Sequence, residues 1–356
     1  MVEVRWDTDQ VLETVKTVPI GPEDPVTIEG PYPLLGDHSR FGVATVDARF
    51  IGTQARLATS IRYVELARSI APQLFAKSSS DCAALSAGWR VLPEGPRKAA
   101  YGGLRTLGAW IYGTSDPIQV QRLPFGLYLK VQGDPDMVRN EFNALRRLRR
   151  ETSIPVPKPI DMISADEGSY LLITRLPGFP LWRCQELFSD TDCDEIVTQL
   201  KDYVAQLRAL PKTVNREMAI CNTLGEACQD PRIQSADPIG PFKDEAAFSQ
   251  CLRFSDEPGR RGHKIVFTHA DLNPRNILVD QVVLPGGGKG WRVTGIVDWE
   301  TAGYYPEYWD YTKALFEGFR WKPRYLEMVH RVFQEFGDYS RELDVERRAW
   351  ELGDGV

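Results

Sequence analysis

The sequence predicts an α+β chain in which a short β-rich region precedes a larger, mostly helical one. Three observations carry this. Strand-type apolar runs separated by turn residues gather within residues 96–173. Apolar residues at spacings of three and four recur at 136–150, 194–210 and again at 308–336. Between those helical stretches, apolar runs near 265–280 and 291–297 flank the flexible link Pro285-Gly286-Gly287-Gly288-Lys289-Gly290. No internal repeat interrupts this order.

Residues 1–95 form an N-terminal extension with a Pro/Gly-rich stretch at 19–36 and one amphipathic helix at 54–77, its apolar face Leu57, Ile61, Val64, Leu66 and Ile70. No residues there stand at a spacing that carries chemistry. The next segment, 118–131, reads as a hairpin turning at Pro124-Phe125-Gly126. Its second strand carries Lys130 between Leu129 and Val131, and a lysine so placed requires an anionic partner. The helix at 136–150 supplies one. Val138, Phe142, Leu145 and Leu148 form an inward stripe, and Glu141 falls within it, three after Val138 and four before Leu145. An inward carboxylate without a cation costs several kcal/mol, so Lys130 is its expected partner.

A strand at 170–173 leads into Thr174-Arg175-Leu176-Pro177-Gly178, and the helix at 194–210 buries Ile196, Leu200, Val204 and Leu207. Residues 215–261 are polar and rich in Pro and Asp, as an inserted substrate loop or a surface loop would be. The segment Phe267-Thr268-His269-Ala270-Asp271-Leu272-Asn273-Pro274-Arg275-Asn276 follows, and after the second apolar run comes Ile296-Val297-Asp298-Trp299-Glu300. A His-x-Asp-x-x-x-x-Asn motif with a second Asp beyond a hairpin is the arrangement that protein-kinase-type phosphoryl transfer uses. One rigid loop lets Asp271 and Asn276 converge on one phosphate, and the returning strand brings Asp298 beside Asn276. In this pattern Asp271 accepts the proton of the attacking hydroxyl, and Asn276 and Asp298 hold Mg²⁺ on the phosphates of ATP.

After Asp298 stand Trp299, Glu300, Tyr304, Tyr305, Glu307, Tyr308, Trp309 and Asp310. Carboxylates framed by aromatic rings suit a cation, so Glu300, Tyr304, Trp309 and Asp310 are the expected acceptor-binding residues, for a hydroxylated acceptor that carries an amine or a flat aromatic ring. Helices at 308–319 and 324–336 complete the chain.

These motifs resemble the aminoglycoside phosphotransferase / choline kinase-like family, in particular its fungal members. The resemblance covers about residues 95–340 and is carried by Arg122-Leu123-Pro124-Phe125-Gly126-Leu127-Tyr128-Leu129-Lys130, Ile154-Pro155-Val156-Pro157, residues 267–280, and Ile296 through Trp309. It implies a bilobal protein-kinase-like fold, with a small β-rich lobe at 96–175 for the nucleotide and a larger, mostly helical lobe at 176–356 for the catalytic loop, metal and substrate. The implied activity is ATP- and Mg²⁺-dependent transfer of a γ-phosphoryl group to a small-molecule hydroxyl. It further implies that Lys130 and Glu141 form the pair that orders ATP, that His269 buttresses the catalytic loop, and that Thr174 and Leu176 lie in the hinge that meets adenine. Two departures stand out. Ala270 occupies a position where glycine is usual, and the phosphate-covering loop has only Gly113-Thr114-Ser115 in place of a glycine-rich motif. The rival reading is a catalytically silent kinase-like protein that binds nucleotide or a partner; the intact set Lys130, Glu141, Asp271, Asn276 and Asp298 weighs against it. A protein acceptor is disfavoured by the lack of an activation segment ending in Ala-Pro-Glu.

Composition agrees with an enzyme. The 356 residues, 42% hydrophobic and 26% charged, suffice for a large core, and a net charge of −6 argues against nucleic acid, as does the arginine cluster at 146–150 without interleaved aromatics. No apolar run is long enough to span a bilayer and the start lacks a signal peptide's pattern, so the expected location is the cytosol, away from membranes. The six cysteines show neither C-x-x-C pairing nor metal-type spacing, and free thiols are expected.

Overall fold

A computed structural model describes residues 26–30, 42–46, 93–114, 119–164, 168–233, 237–284, 286–316 and 318–352. The helix expected at 54–77, Ser115 and Cys82 lie outside these residues. The chain divides into two compact units, Met1–Pro72 and Gln73–Val356. In the first, strands β1 (Val26–Gly30) and β2 (Gly42–Val46) pair antiparallel, with Val26 opposite Val46 and Gly30 opposite Gly42.

The second unit is an α+β fold of two lobes. The small lobe begins with helix α1 (Glu94–Tyr112), then β3 (Val120–Leu123), β4 (Leu127–Gln132), α2 (Pro135–Glu151), β5 (Pro159–Ile163) and β6 (Ser169–Thr174). The strands make one antiparallel sheet in the order β3-β4-β6-β5. Phe125 and Gly126, with φ of 67° and 68°, close the β3–β4 hairpin through two consecutive left-handed residues, the geometry whose twist matches a tight hairpin.

Side chains alternate across a strand, and here the alternation assigns each sheet face to one helix. Leu129 and Leu172 pack with Tyr101 of α1, whereas Leu171 and Ile173 pack with Val138, Leu145 and Leu148 of α2. Lys130 lies opposite Leu171 in the register, and so on the face that α2 covers. Asp134 starts α2 by accepting from the backbone N–H groups of Asp136 and Met137, with Pro135 in the first turn. The helix ends at Thr152, just before Pro155 and Pro157, which cannot continue it.

Helix α1 is an addition to the sequence reading. Its glycines at 95, 102, 103 and 108 and Pro96 lower its intrinsic propensity and hide it. Tertiary contacts hold it instead: Arg97 pairs with Asp161 at 2.7 Å, and the Tyr101 hydroxyl donates to the same carboxylate. Gly108 is required by close approach, since a Cβ there would stand 2.2 Å from the Arg122 carbonyl oxygen.

The large lobe continues through β7 (Phe179–Pro180), α3 (Asp190–Ala209), β8 (Cys221–Asn222), β9 (Ile265–Thr268), β10 (Ile277–Val283), β11 (Lys289–Ile296), β12 (Gly303–Pro306), α4 (Trp309–Phe316), α5 (Pro323–Phe333) and α6 (Ser340–Glu351). Two small sheets, β11-β10-β7 and β8-β12-β9, carry the loops of interest at their ends. Ser189 and Asp192 form a reciprocal cap at the start of α3, whose Ile196, Leu200, Val204 and Leu207 are buried as expected. The described residues of 215–261 are not confined to the surface. Ile220 bridges Phe242, Cys228 bridges Ile239, and Ile233, Phe248 and Leu252 enter the core. The helices expected to reach 319 and 336 stop at Phe316 and Phe333, and α6 was not expected. None of the five described cysteines is paired, and no described helix is long and apolar enough to cross a membrane.

Candidate active site

The loop expected to be catalytic runs from the end of β9 to the start of β10. Backbone hydrogen bonds and buried side chains fix its shape. The buried carboxylate of Asp310, at the start of α4, accepts from the backbone N–H of Ala270 at 2.8 Å and of His269 at 3.2 Å. His269 donates through Nε2 to the Val297 carbonyl at 2.9 Å and accepts at Nδ1 from the Asp271 N–H at 3.1 Å, an arrangement that places a ring proton on Nε2. Ala270 sits at φ 62°, a left-handed conformation that costs an alanine about 1–2 kcal/mol. The position therefore does use the backbone that glycine adopts freely.

Asn276 donates through Nδ2 to the Asp271 carboxylate at 2.9 Å and to its carbonyl at 3.0 Å, so carboxylate and amide face one another across the loop. Its own carbonyl accepts from the Val297 N–H at 2.9 Å. That bond and the one from His269 to Val297 stitch the catalytic loop to the segment that ends in Asp298. Asp298 has φ 68°, the second strained residue of the site.

Lys130 is the centre of the other half. Its ammonium bonds Glu141 at 2.8 Å and also reaches Asp298 and Glu300. Glu141, 2% exposed, accepts in addition from the Trp299 N–H at 3.4 Å. Burial lowers the pKa of Lys130, but the charges of Asp298, Glu141 and Glu300 outweigh it and hold the group well above its ordinary value. Burial pushes Asp298 up, and the neighbouring Lys130 more than reverses this, so its carboxyl lies below the usual range. Glu300 is pushed up to about 7 by burial, with the charges of Asp298 and Glu141 adding to the effect against Lys130. Glu141 is raised as well, mainly by burial. One ammonium thus faces three carboxylates.

Of the acceptor-binding residues expected from sequence, the structure removes three. Tyr304, Trp309 and Asp310 are 1%, 0% and 4% exposed. Tyr304 receives a hydrogen bond from Arg147, Trp309 donates to Asp230 at 2.9 Å, and Asp310 holds the loop backbone, so none has a face left for a ligand. Their aromaticity serves the core, where Phe248, Tyr305 and Trp309 pack ring to ring. Glu300 is accessible but turned toward Lys130 and Gln132 of β4. Thr114 also departs from its expected place. It is exposed just beyond the C-terminal end of α1, where the helix presents carbonyls and negative potential instead of amides. Thr174 is bonded to Lys158 through both its N–H and its hydroxyl, and the Leu176 side chain lies over Gly295 of β11, so the interlobe strand is anchored on both lobes.

Three residues of the site were not anticipated. Asn140 donates to the carbonyls of Glu300 and Ala302, each at 2.8 Å, and accepts from the Thr223 N–H, locking α2 onto the Asp298 segment. Gln132 lies two residues after Lys130 and so on the same strand face. It donates to Glu300, while its buried Oε1 has no partner among the described residues. Lys313, one turn after Asp310 on α4, stands 3.5 Å from Asp271 Oδ1 and 3.8 Å from Asp230 Oδ1. The position of Gln132 was legible from strand alternation; the other two needed the packing of α2 and α4.

A family model described as "Phosphotransferase enzyme family" matches residues 128–344, more than half of the chain. No curated protein matches. Among solved structures, the chain is similar to a GDP complex of an aminoglycoside 2'-phosphotransferase IIIa mutant, at 14% identity over 66% of this chain and 79% of that one, with a TM-score of 0.47. It is also similar to an aminoglycoside 3'-phosphotransferase of type VIII, at 19% identity over 63% and 87%, TM-score 0.41. A ternary complex of aminoglycoside phosphotransferase APH(4)-Ia with ADP and hygromycin B shares 13% identity over 65% and 78%, TM-score 0.41. With its Lys130–Glu141 pair and its Asp271 and Asp298 loops all inside the matched residues, the chain belongs to the phosphotransferase enzyme family.

Proposed function

We propose that the protein transfers the γ-phosphoryl group of ATP to a hydroxyl of a small molecule, with Mg²⁺ as cofactor. The observation that carries this reading is the meeting of Lys130, Glu141 and Asp298, from β4, α2 and the end of β11, beside a loop that pairs Asp271 with Asn276. These residues come from separate elements, and their side chains meet on one side of that loop.

In this reading Glu141 keeps Lys130 charged and aimed at the phosphates of ATP. Asp271 accepts the proton of the acceptor hydroxyl, and the Asn276 amide orients its carboxylate. Mg²⁺ would be held by Asn276 and Asp298, with Glu300 available beside them. The donor set suits a hard divalent cation: Glu141, Asp298 and Glu300 offer oxygens within 4.8 Å of one another, and the Gln132 Oε1 is an unpartnered neutral oxygen nearby. Such a cation supplies neutralisation of the phosphate oxygens as the phosphoryl group leaves. Thr174 and Leu176 are assigned to the adenine side. The division at residue 176 then separates a nucleotide-holding lobe, 96–175, from a catalytic lobe, 176–356, preceded by the extension 1–95. We assign its work to the cytosol.

Two measurements test the reading. ATP with Mg²⁺ should raise the melting temperature, and ATP with EDTA should raise it much less. Incubation with cell extract and Mg-ATP, followed by mass spectrometry, should reveal a metabolite that gains one phosphate. If ATP binds but no compound gains phosphate in extracts from several sources, the transferase reading fails and the silent kinase-like alternative replaces it.

A further inference from the structure

Lys313 belongs to no part of the kinase-type machinery assigned above, yet it is the cation nearest the Asp271 carboxylate among the described ion pairs. Its side chain is 11% exposed, and its ammonium sits between Asp230 Oδ1 at 3.8 Å and Asp271 Oδ1 at 3.5 Å. The bland account is that it neutralises Asp230. Asp230 has other partners as well. Its carboxylate is held by the guanidinium of Arg232, through Nη2 at 2.9 Å and Nε at 3.1 Å, and by the Trp309 indole N–H at 2.9 Å. Arg232 in turn pairs with Glu346 at 2.9 Å, and Arg260 with the other oxygen of Glu346 at 3.3 Å, so this buried network is balanced before Lys313 is counted.

The charge of Lys313 is thus shared between two carboxylates, and it lies nearer to Asp271. Asn276 already donates to Oδ2 of that carboxylate at 2.9 Å, and the ammonium stands 3.5 Å from the other oxygen, so the two groups address its two oxygens. Resting on the phosphotransfer reading, we infer that Lys313 is a positioning residue for the base: anchored by Asp230, it fixes the rotation of the Asp271 carboxylate so that one direction remains for the acceptor hydroxyl. A misplacement of about 1 Å in such a group costs about 10²-fold in rate.

The test uses the full chain with K313M, K313R and D271N. ATP affinity is read by displacement of a fluorescent ATP analogue. Turnover is read as Mg-ATP consumption, with water and with the acceptor identified in extracts. The tightening of ADP binding by Mg²⁺ and aluminium fluoride reads the transition-state geometry without any acceptor. K313M should lower kcat about 10- to 100-fold with the KM for ATP within about twofold, and should lose the aluminium fluoride tightening together with D271N. K313R, which restores the charge, should recover most of both. K313M with more than half the wild-type kcat, or a loss that K313R leaves unrepaired, overturns the inference alone. A loss of kcat matched by an equal rise in the KM for ATP also overturns it, because general disruption of the lobe would do that. A wild-type protein that binds ATP but shows neither turnover nor tightening overturns the phosphotransfer reading, and this inference with it.

Discussion

Two buried ionic clusters lie in this molecule, and their difference separates a site from a strut. Around Asp230, Arg232, Glu346 and Arg260, two carboxylates meet two guanidiniums, every one of these side chains 2% exposed or less. Burial would push the Asp230 carboxyl up, yet Arg232 and Lys313 hold it below the ordinary range. Around Lys130, one ammonium serves Glu141, Asp298 and Glu300, and Glu300 is pushed up to about 7. The first cluster is balanced in charge, two against two. The second sets three carboxylates against one ammonium, and the proposed Mg²⁺ would supply further positive charge there. Charge balance, more than burial, tells the two apart.

The largest effect expected from breaking the chemistry beside the second cluster is on rate. Asp271→Asn should cut kcat by about 10²- to 10⁴-fold while the affinity for ATP stays close to wild type; a fully active variant would sink the assignment of the base. The next effect is on stability and separates the clusters directly. Glu346→Gln should destabilise the protein by about 3–5 kcal/mol, because it leaves buried guanidinium charge uncompensated. Glu300→Gln, which relieves an excess of negative charge, should shift the stability of the ligand-free protein by less than about 1 kcal/mol and weaken its stabilisation by Mg-ATP. Equal losses in urea melts of the two variants would abolish the distinction.

A third, smaller effect depends on pH. Burial lowers the pKa of His263, but hydrogen bonds to Glu245 at 2.6 Å and Glu342 at 3.4 Å outweigh it and raise the group from 6.5 to about 9. A pKa raised in the folded state means that the charged form stabilises. The contribution is present in full below pH 6.5 and is lost as the pH rises to about 9. For this half-buried group, after solvent screening, it should amount to about 1–2 kcal/mol. Unfolding free energies at pH 6 and pH 9.5 should differ by that much in the wild type and by much less in His263→Gln. A variant that keeps the full pH dependence would assign it to another group.

The smallest expected effect concerns the loop itself. Ala270→Gly relieves the left-handed strain at φ 62° against the greater chain entropy of glycine, and should stabilise by about 0.5–1 kcal/mol. Since the loop is held by Asp310, activity should change little. A destabilised Gly variant would mean that the buried methyl contributes more by packing than the backbone costs.

Much of the site could be read before the fold was known, because its residues follow local rules. The inward Glu141 was visible in the stripe of α2, Lys130 in the alternation of β4, and the Asp271–Asn276 and Asp298 spacing in one loop and one hairpin. The sequence did not disclose which aromatic residues were free. Trp299, Tyr304, Tyr308 and Trp309 look the same in a string whether they line a pocket or fill a core, and the packing of β12 against β8 and β9 turned them inward. Helix α1 escaped for the opposite reason: its glycines weaken the local signal, and only the fit of Gly108 against β3 and of Arg97 to Asp161 makes it a helix. By itself the sequence determined the α+β class, most of the helices and hairpins, and the spacing that singles out Lys130, Glu141, Asp271, Asn276 and Asp298, since period and spacing are properties of contiguous residues. The tertiary structure alone decided that Asp310 holds a loop, that Asn140 joins α2 to the Asp298 segment and that Lys313 stands at Asp271. Those relations are between residues 40 or more positions apart, which only the packing of one element on another brings together.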